Sequence, residues 1–210
     1  RSSPGYAAAP SAMNRRLLLS PAIDNAYPAA PHQGAAIIAR VPRIALANVQ
    51  TALMENPMNA IDARLEALRI TLPEPAAPVA NYVPFVRSGS QVHVSGQVSF
   101  SPEGLITGRL GQDMDLEAGQ RAARFCAINL IAQFKAACGG DLTAVKQVVK
   151  LGGFVNADPS FTDVPKVING ASDLIGEVFG ESGRHARSAV GVAVLPLGAA
   201  VEVDAIIEIA

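Results

Sequence analysis

Near the end of the chain, one arginine and one glutamate stand out from an otherwise apolar stretch. Arg187 precedes an apolar run that begins at Val190, and Glu202 interrupts the apolar pattern of the next predicted strand. A guanidinium can hold a carboxylate through two parallel hydrogen bonds, and a carboxylate can orient or deprotonate a water molecule. The pair therefore fits a pocket that binds a carboxylate and orients a water molecule beside it. It also fits two solvent-facing side chains on alternate strand positions that do no chemistry.

The sequence carries no other standard motif for catalysis or ligand binding. It has no Walker loop, no G-x-G-x-x-G, no H-E-x-x-H, no G-x-S-x-G and no C-x-x-C. The three histidines, His32, His93 and His185, lack the spacing of metal ligands, so we expect no metal. We interpret His93, on a predicted strand, as a partly buried structural residue. A lone histidine beside a loop arginine favours a surface position for His185 over a place in a pocket.

The two cysteines favour a reducing compartment and hence a cytoplasmic protein. Cys126 and Cys138 lie in one predicted helix, about 18 Å apart along its axis, which is too far for a disulfide. Two cysteines also cannot form a disulfide framework of the kind found in secreted domains. We interpret both as buried thiols without a catalytic role.

Composition indicates a folded domain and argues against a membrane or nucleic-acid partner. Half of the 210 residues are hydrophobic and 17% are charged, which is enough apolar material for a core. The longest apolar stretch, 190–201, is too short to span a membrane and contains Pro196. The formal net charge is −1. A protein that binds phosphates usually has a basic excess, so nucleic acid is not the expected partner.

A change of composition near Met58 divides the chain. Residues 1–57 hold seven of the 15 prolines, and five arginines against two acidic residues. Three interpretations stay open: upstream sequence read in frame before a true start at Met58, an arginine-rich targeting peptide, and an extension with a binding role. We predict a Pro/Ala-rich extension over 1–57, disordered or absent from the native protein. A folded domain follows over 58–210, with a short leading helix over 58–70.

Periodicity predicts the elements that position Arg187 and Glu202. Gly96, inside a strand pattern, predicts a bulge or a close backbone approach. The chain is expected to end in a hairpin that turns at 196–198, which would place Glu202 level with positions 192–193. The predicted strands are 82–86, 91–98, 145–155, 188–195 and 200–209, and the predicted helices are 115–138 and 161–179.

This order, β-β-α-β-α-β-β, predicts an α+β fold with two helices packed on one face of a mixed sheet. The other face of the sheet is expected to be apolar in places. A face without a helical layer would meet water unless it met a partner, so the pattern also predicts self-association.

Three blocks of the sequence carry a resemblance to known proteins. They are N-Y-V-P-F-V-R-S-G at 81–89 with V-S-G-Q at 94–97, V-V-K-L-G-G-F-V-N at 148–156, and R-S-A-V-G-V-A-V-L-P at 187–196 with V-E-V-D-A-I at 201–206. In this order and at these intervals they resemble the RidA/YjgF family, also called the endoribonuclease L-PSP family. The resemblance covers about residues 70–210.

The resemblance implies a chorismate-mutase-like fold that forms a homotrimer with pockets between subunits. It also implies hydrolysis of reactive 2-imino acids, such as 2-iminopropanoate, to 2-oxo acids and ammonia, without a metal or organic cofactor. Arg187 corresponds to the arginine that pairs with the substrate carboxylate, and Glu202 to the glutamate that helps to place the attacking water. The implied substrate-binding residues are Tyr82, Ser95, Gly96, Asn169 and Ala189.

Departures from the family pattern leave substrate size and rate open. Ala189 stands where many members have cysteine, and one extra residue separates Asn169 from Arg187. Archetypal members have a Phe-Pro-Ala run where this chain has residues 184–186. The alternatives are a non-catalytic trimer that binds a small carboxylate, an endoribonuclease or translation inhibitor, and a deaminase for larger imino acids.

Overall fold

The computed structural model describes residues 60–75 and 82–210. The predicted extension over 1–57 lies outside the described residues. None of the helices in the described part of the chain has the length and apolarity needed to cross a membrane. In chain order, the elements are α1 (Ala60–Ala67), β1 (Phe85–Ser88), β2 (Gln91–Val98), β3 (Phe100–Ser101), β4 (Gly104–Leu105), α2 (Leu116–Ala137), β5 (Val145–Asn156), α3 (Val164–Phe179), β6 (Ala186–Val192) and β7 (Val201–Ile209).

Five of the strands form one mixed sheet in the order β1-β2-β7-β5-β6. All neighbours are antiparallel except β5 and β6, which run parallel. Strands β3 and β4 pair with each other in a separate small hairpin. The α+β class and the predicted order of the main elements are therefore confirmed, with this hairpin in addition. Helix α1 lies within the range predicted for the short leading helix, 58–70.

The predicted C-terminal hairpin is wrong. Strands β6 and β7 are not neighbours, because β5 lies between them and pairs with both: Leu151 is opposite Arg187 on one side and opposite Ala205 on the other. Strand β5 is long and mostly buried, which suits a central strand. The connection from β5 through α3 to β6 is long enough for a parallel crossover. Alternation within β6 and β7 shows which residues share a face, but it does not identify the neighbouring strand.

Helices α2 and α3 cover one face of the sheet, as predicted. Helix α2 begins after Asp115, whose carboxylate accepts a hydrogen bond from the Ala118 amide at 2.8 Å. It ends before Gly139 and Gly140, which adopt the positive φ angles of 64° and 101° that glycine tolerates best. The two helices approach so closely that a Cβ on Gly170 would overlap the backbone carbonyl of Gln120.

No helix lies over the other face of the sheet within the described residues. Alternate residues of β7 from Glu202 to Glu208 point to this open face, while Val201 and the residues between them are buried. The apolar side chains of Val86 and Val190 are 54% and 47% exposed there, which confirms that this face is partly apolar. His93 is exposed on the same face, so its predicted partial burial is wrong.

Candidate active site

Arg187 lies on the edge strand β6, on the face of the sheet that the helices cover. Its Nη1 donates to Oδ1 of Asn169 at 2.8 Å and to Oγ of Ser172 at 3.0 Å, both on α3. The candidate Asn169 therefore contacts the candidate Arg187, in spite of the extra residue between them. No described residue accepts a hydrogen bond from Nε or Nη2 of Arg187. These two donors are available to a ligand.

The Arg187 guanidinium is half-buried and partly desolvated. Desolvation lowers its pKa from the ordinary arginine value, while the negative charge of Asp173 on α3 acts in the opposite direction. A guanidinium remains protonated under all conditions relevant to proteins. The helix and the sheet edge thus hold a positive charge in a place where water screens it incompletely.

His185 contacts the same group of side chains, and its expected surface position is wrong. Its ring is half-buried, with Nδ1 2.6 Å from the Gly183 carbonyl oxygen and Nε2 3.0 Å from Oγ of Ser172. Burial lowers the pKa of His185, the Gly183 carbonyl raises it, and the charge of Arg187 lowers it further. Sequence reasoning did not find Ser172. Its only signal was a position three residues after Asn169, on the same helix face.

Ala189 follows Arg187 by two residues and points to the same side of β6. It pairs with Gly153 of β5 and packs against the buried core. Asn169, Arg187 and Ala189 therefore form one group of candidate residues on the helix side of the sheet, which we call the arginine group.

Glu202 lies on the open face of the sheet, against β2. Its carboxylate touches Gly96, where a Cβ would overlap Oε1. The register of β2 against β7 shifts between Val94 and Gln97, so the predicted bulge and close approach at Gly96 are both confirmed. Burial raises the pKa of Glu202, and the neighbouring negative charge of Asp204 raises it further.

Ser95 connects the Glu202 region to the segment that contains Tyr82. Its Oγ donates to the Val83 carbonyl at 2.8 Å, and its amide donates to the Pro84 carbonyl at 2.9 Å. Tyr82 itself is 50% exposed and precedes β1, which begins at Phe85 rather than at residue 82. Tyr82, Ser95, Gly96 and Glu202 form a second set of candidates, which we call the glutamate group.

Arg187 and Glu202 lie on opposite faces of the sheet, since residues directly opposite each other on paired strands share a face. Arg187 shares its face with the buried Leu151, whereas Glu202 shares the open face with Phe154. Arg187 is level with Ala205 of β7, which is three residues from Glu202, or about 10 Å along the strand. Because β5 lies between β6 and β7, the two residues are also two strand spacings apart, about 10 Å across the sheet. One small acid cannot touch Arg187 and Glu202 of the same chain.

Neither a metal cluster nor a reactive thiol is found in the described residues. Within 60–75 and 82–210, no three histidine, cysteine, aspartate or glutamate side chains converge as metal ligands would. The Cys126 thiol is buried in α2, and burial raises its pKa well above the ordinary value, which disfavours the nucleophilic thiolate. Cys138, at the end of the same helix, is only half-buried, so its predicted burial is wrong, and the burial that it has raises its pKa.

Comparison with known proteins places this chain in a family. The family described as "YjgF/chorismate mutase-like, putative endoribonuclease" matches residues 62–209. The chain belongs to this family. Protein TCP17 of Trypanosoma cruzi is 56% identical over 151 residues, which are 71% of this chain and 94% of that protein.

Two crystal structures resemble this YjgF-family chain over most of its described part. A protein of unknown function from Agrobacterium tumefaciens is 51% identical, with 71% of this chain and 92% of that chain covered and a TM-score of 0.67. A protein from Shewanella oneidensis titled "putative endoribonuclease" is 40% identical, with 71% and 99% covered and a TM-score of 0.68. The predicted YjgF-like fold is therefore confirmed.

Proposed function

We propose that this YjgF-family protein hydrolyses small reactive 2-imino acids, such as 2-iminopropanoate, to 2-oxo acids and ammonia. The observation that carries the proposal is the environment of Arg187. Its Nη1 is held by Asn169 and Ser172, and Nε and Nη2 form an edge without a described partner. A carboxylate is the ligand that matches this edge, because it accepts two parallel hydrogen bonds from a guanidinium.

The chemistry needs little beyond orientation and a base. Arg187 holds the substrate carboxylate and thereby fixes the imine carbon beside a bound water. Glu202 accepts a proton from this water while the water oxygen forms a bond to the carbon of the protonated imine. Glu202 then gives this proton to the nitrogen of the resulting carbinolamine, so that the C–N bond breaks with release of ammonia. The carbinolamine hydroxyl loses its proton to Glu202 as the carbonyl forms. No metal or organic cofactor takes part in this scheme.

The proposed site combines the two groups of residues from different copies of the chain. Since Arg187 and Glu202 lie on opposite faces, one substrate can reach both only if the arginine group of one subunit meets the glutamate group of another. A homotrimer with pockets between its subunits, as the family resemblance implies, would provide such pockets. The partly apolar open face of the sheet supports self-association.

A coupled assay tests the activity. A dehydratase generates 2-aminoacrylate, which converts to 2-iminopropanoate, and the release of 2-oxo acid is followed with and without this protein. We expect acceleration by the wild-type chain and none by Arg187→Ala. No acceleration by a folded, oligomeric wild-type protein would contradict the deaminase proposal.

Subunit complementation tests whether the site is shared. Arg187→Ala and Glu202→Gln chains are co-expressed, so that mixed oligomers contain some pockets with both residues intact. Random mixing should restore about a quarter of the wild-type activity, although each variant alone is inactive. Failure to restore activity, in oligomers shown by mass spectrometry to be mixed, would contradict a site built from two copies.

Non-catalytic binding of a small carboxylate is the second candidate function. The separation of Glu202 from Arg187 within one chain favours it, because the carboxylate clamp needs only the arginine group. Such a protein would bind pyruvate through Arg187 and would not accelerate imine hydrolysis. Endoribonuclease activity, which the name of the Shewanella protein suggests, has less support, since the net charge is −1.

A further inference from the structure

We propose that Ser172 and His185 are positioning residues that set the direction of the Arg187 guanidinium, so that its free edge faces the substrate carboxylate. This inference rests on the proposed role of Arg187 as a carboxylate clamp. It extends the site to two side chains on two different elements, α3 and the segment before β6.

The Gly183 carbonyl determines which groups donate and which accept in the hydrogen bonds among His185, Ser172 and Arg187. The Gly183 carbonyl only accepts, so Nδ1 of His185 carries the proton of the neutral ring and Nε2 is an acceptor. The Ser172 hydroxyl therefore donates to Nε2, and its oxygen remains free to accept from Nη1 of Arg187. His185 thus determines which way the Ser172 hydroxyl points, and Ser172 in turn holds the guanidinium.

This chain of hydrogen bonds selects one edge of Arg187 for the ligand. Nη1 carries two hydrogens, and Asn169 and Ser172 accept one each. The two-pronged edge that is left for a carboxylate is the one formed by Nε and Nη2. If Ser172 lost its orientation, the guanidinium plane would be held at a single point and would rotate. Affinity for the carboxylate would then fall more than the rate of the chemical step.

The charges around His185 favour its neutral, accepting form. Arg187 on β6 is a positive charge that disfavours protonation, and the ring is half-buried. The negative charge of Asp173, on α3, raises the pKa of Arg187. In the segment before β6, Arg184 forms an exposed ion pair with Glu181 at 3.2 Å.

Kinetics and ligand binding test the role of both residues. For Ser172→Ala and His185→Ala we expect about a tenfold rise in KM for 2-iminopropanoate and in the Kd for pyruvate, with kcat changed by less than about threefold. His185→Gln should stay near wild type, since its Oε1 can accept from Ser172. The matched control is Arg184→Ala, which removes a neighbouring exposed side chain and should leave KM and Kd unchanged.

A double variant tests whether His185 acts through Ser172. If it does, His185→Ala should cause no further loss of pyruvate affinity in a Ser172→Ala background. Additive losses would overturn the inference, because His185 would then act by another route. Unchanged KM and Kd in both single variants would overturn it as well.

Nitrogen-15 NMR of the Arg187 side chain separates this inference from the proposed function. A guanidinium held at Nη1 rotates slowly and gives resolved Nη signals, which Ser172→Ala and His185→Ala should broaden while Arg184→Ala leaves them unchanged. If the wild-type protein neither binds pyruvate nor turns over 2-iminopropanoate, the proposed function fails, but this NMR result still supports the positioning role. Sharp, unchanged signals in both variants would overturn it.

Discussion

At the scale of single residues, Arg187 is a half-buried guanidinium without an ion-pair partner. The four ion pairs among the described residues do not include Arg187, whose hydrogen bonds go to a neutral amide and a hydroxyl. Partial removal of a charge from water is costly unless the charge is compensated. A substrate carboxylate would supply that compensation, and this is why we expect Arg187 to determine affinity.

The pH dependence of activity should report on Glu202. As a base it acts in the ionised form, and its pKa is raised by burial and by Asp204, so kcat/KM should fall as the pH drops through this raised pKa. Asp204→Asn removes a negative charge, lowers the pKa of Glu202 and should move the acid limb of the profile to lower pH.

The pH–rate profiles of wild type and Asp204→Asn check this expectation. Glu181→Gln is the control, because Glu181 is exposed, lies in the segment before β6 and does not contribute to the pKa of Glu202. An acid limb that stays in place, or moves to higher pH, in Asp204→Asn would show that Glu202 is not the base seen in the profile.

Gly96→Ala should reduce catalysis while the fold is retained. The new Cβ would overlap Oε1 of Glu202, and the flexible end of this side chain can move away more easily than the backbone. We expect kcat to fall at least tenfold, because this is roughly the loss of rate when one catalytic group is misplaced. The free energy of unfolding should change little. Wild-type kcat in this variant would mean that the position of the Glu202 carboxylate is unimportant.

At the scale of elements, the contact between α2 and α3 sets the position of Asn169 and Ser172. A Cβ on Gly170 would overlap the Gln120 carbonyl. This carbonyl is part of the backbone, so no side-chain rotation can relieve the overlap. Gly170→Ala should therefore destabilise the protein by about 2 kcal/mol or more, because the two helices must separate.

Gly176→Ala is the matched control in the same helix. A Cβ at Gly176 meets no atom within 4 Å, so the better helix propensity of alanine should stabilise the protein by about 0.5–1 kcal/mol. Urea denaturation of both variants measures the two effects. Equal stability of the two variants would contradict the close helix contact.

At the scale of the whole molecule, we expect the open sheet face to connect assembly to activity. It carries Glu202 together with the exposed apolar side chain of Val190, and the proposed site needs a second copy of the chain. Val190→Asp should dissociate the oligomer in analytical ultracentrifugation and abolish imine hydrolysis at the same time. A charge buried at an interface without a partner is strongly unfavourable.

Val194→Asp is the control for this experiment. Val194 is 72% exposed and lies beyond the end of β6, outside the sheet. We expect this variant to keep both the oligomer and the activity. A monomeric Val190→Asp protein with wild-type kcat/KM would show that one chain is sufficient for catalysis.

Patterns between near neighbours in the sequence were enough to predict the main helices and strands, the order of elements and the bulge at Gly96. A capping aspartate, closing glycines and the alternation of apolar residues act within a few positions of each other, so they can be recognised without the fold. The family blocks likewise pointed to Arg187, Glu202 and Asn169 as candidates. The contact of Arg187 with Asn169 agrees with that prediction.

Only the tertiary structure decided which strands pair, on which face each candidate lies and what surrounds His185. β5 separates β6 from β7 because the long, buried strand takes the centre of the sheet, and this choice depends on residues far apart in sequence. The same pairing puts Arg187 and Glu202 on opposite faces, which alternation within each strand could not reveal. The contact of His185 with Ser172 arises because α3 packs beside the start of β6. Patterns between near neighbours in the sequence do not predict that packing.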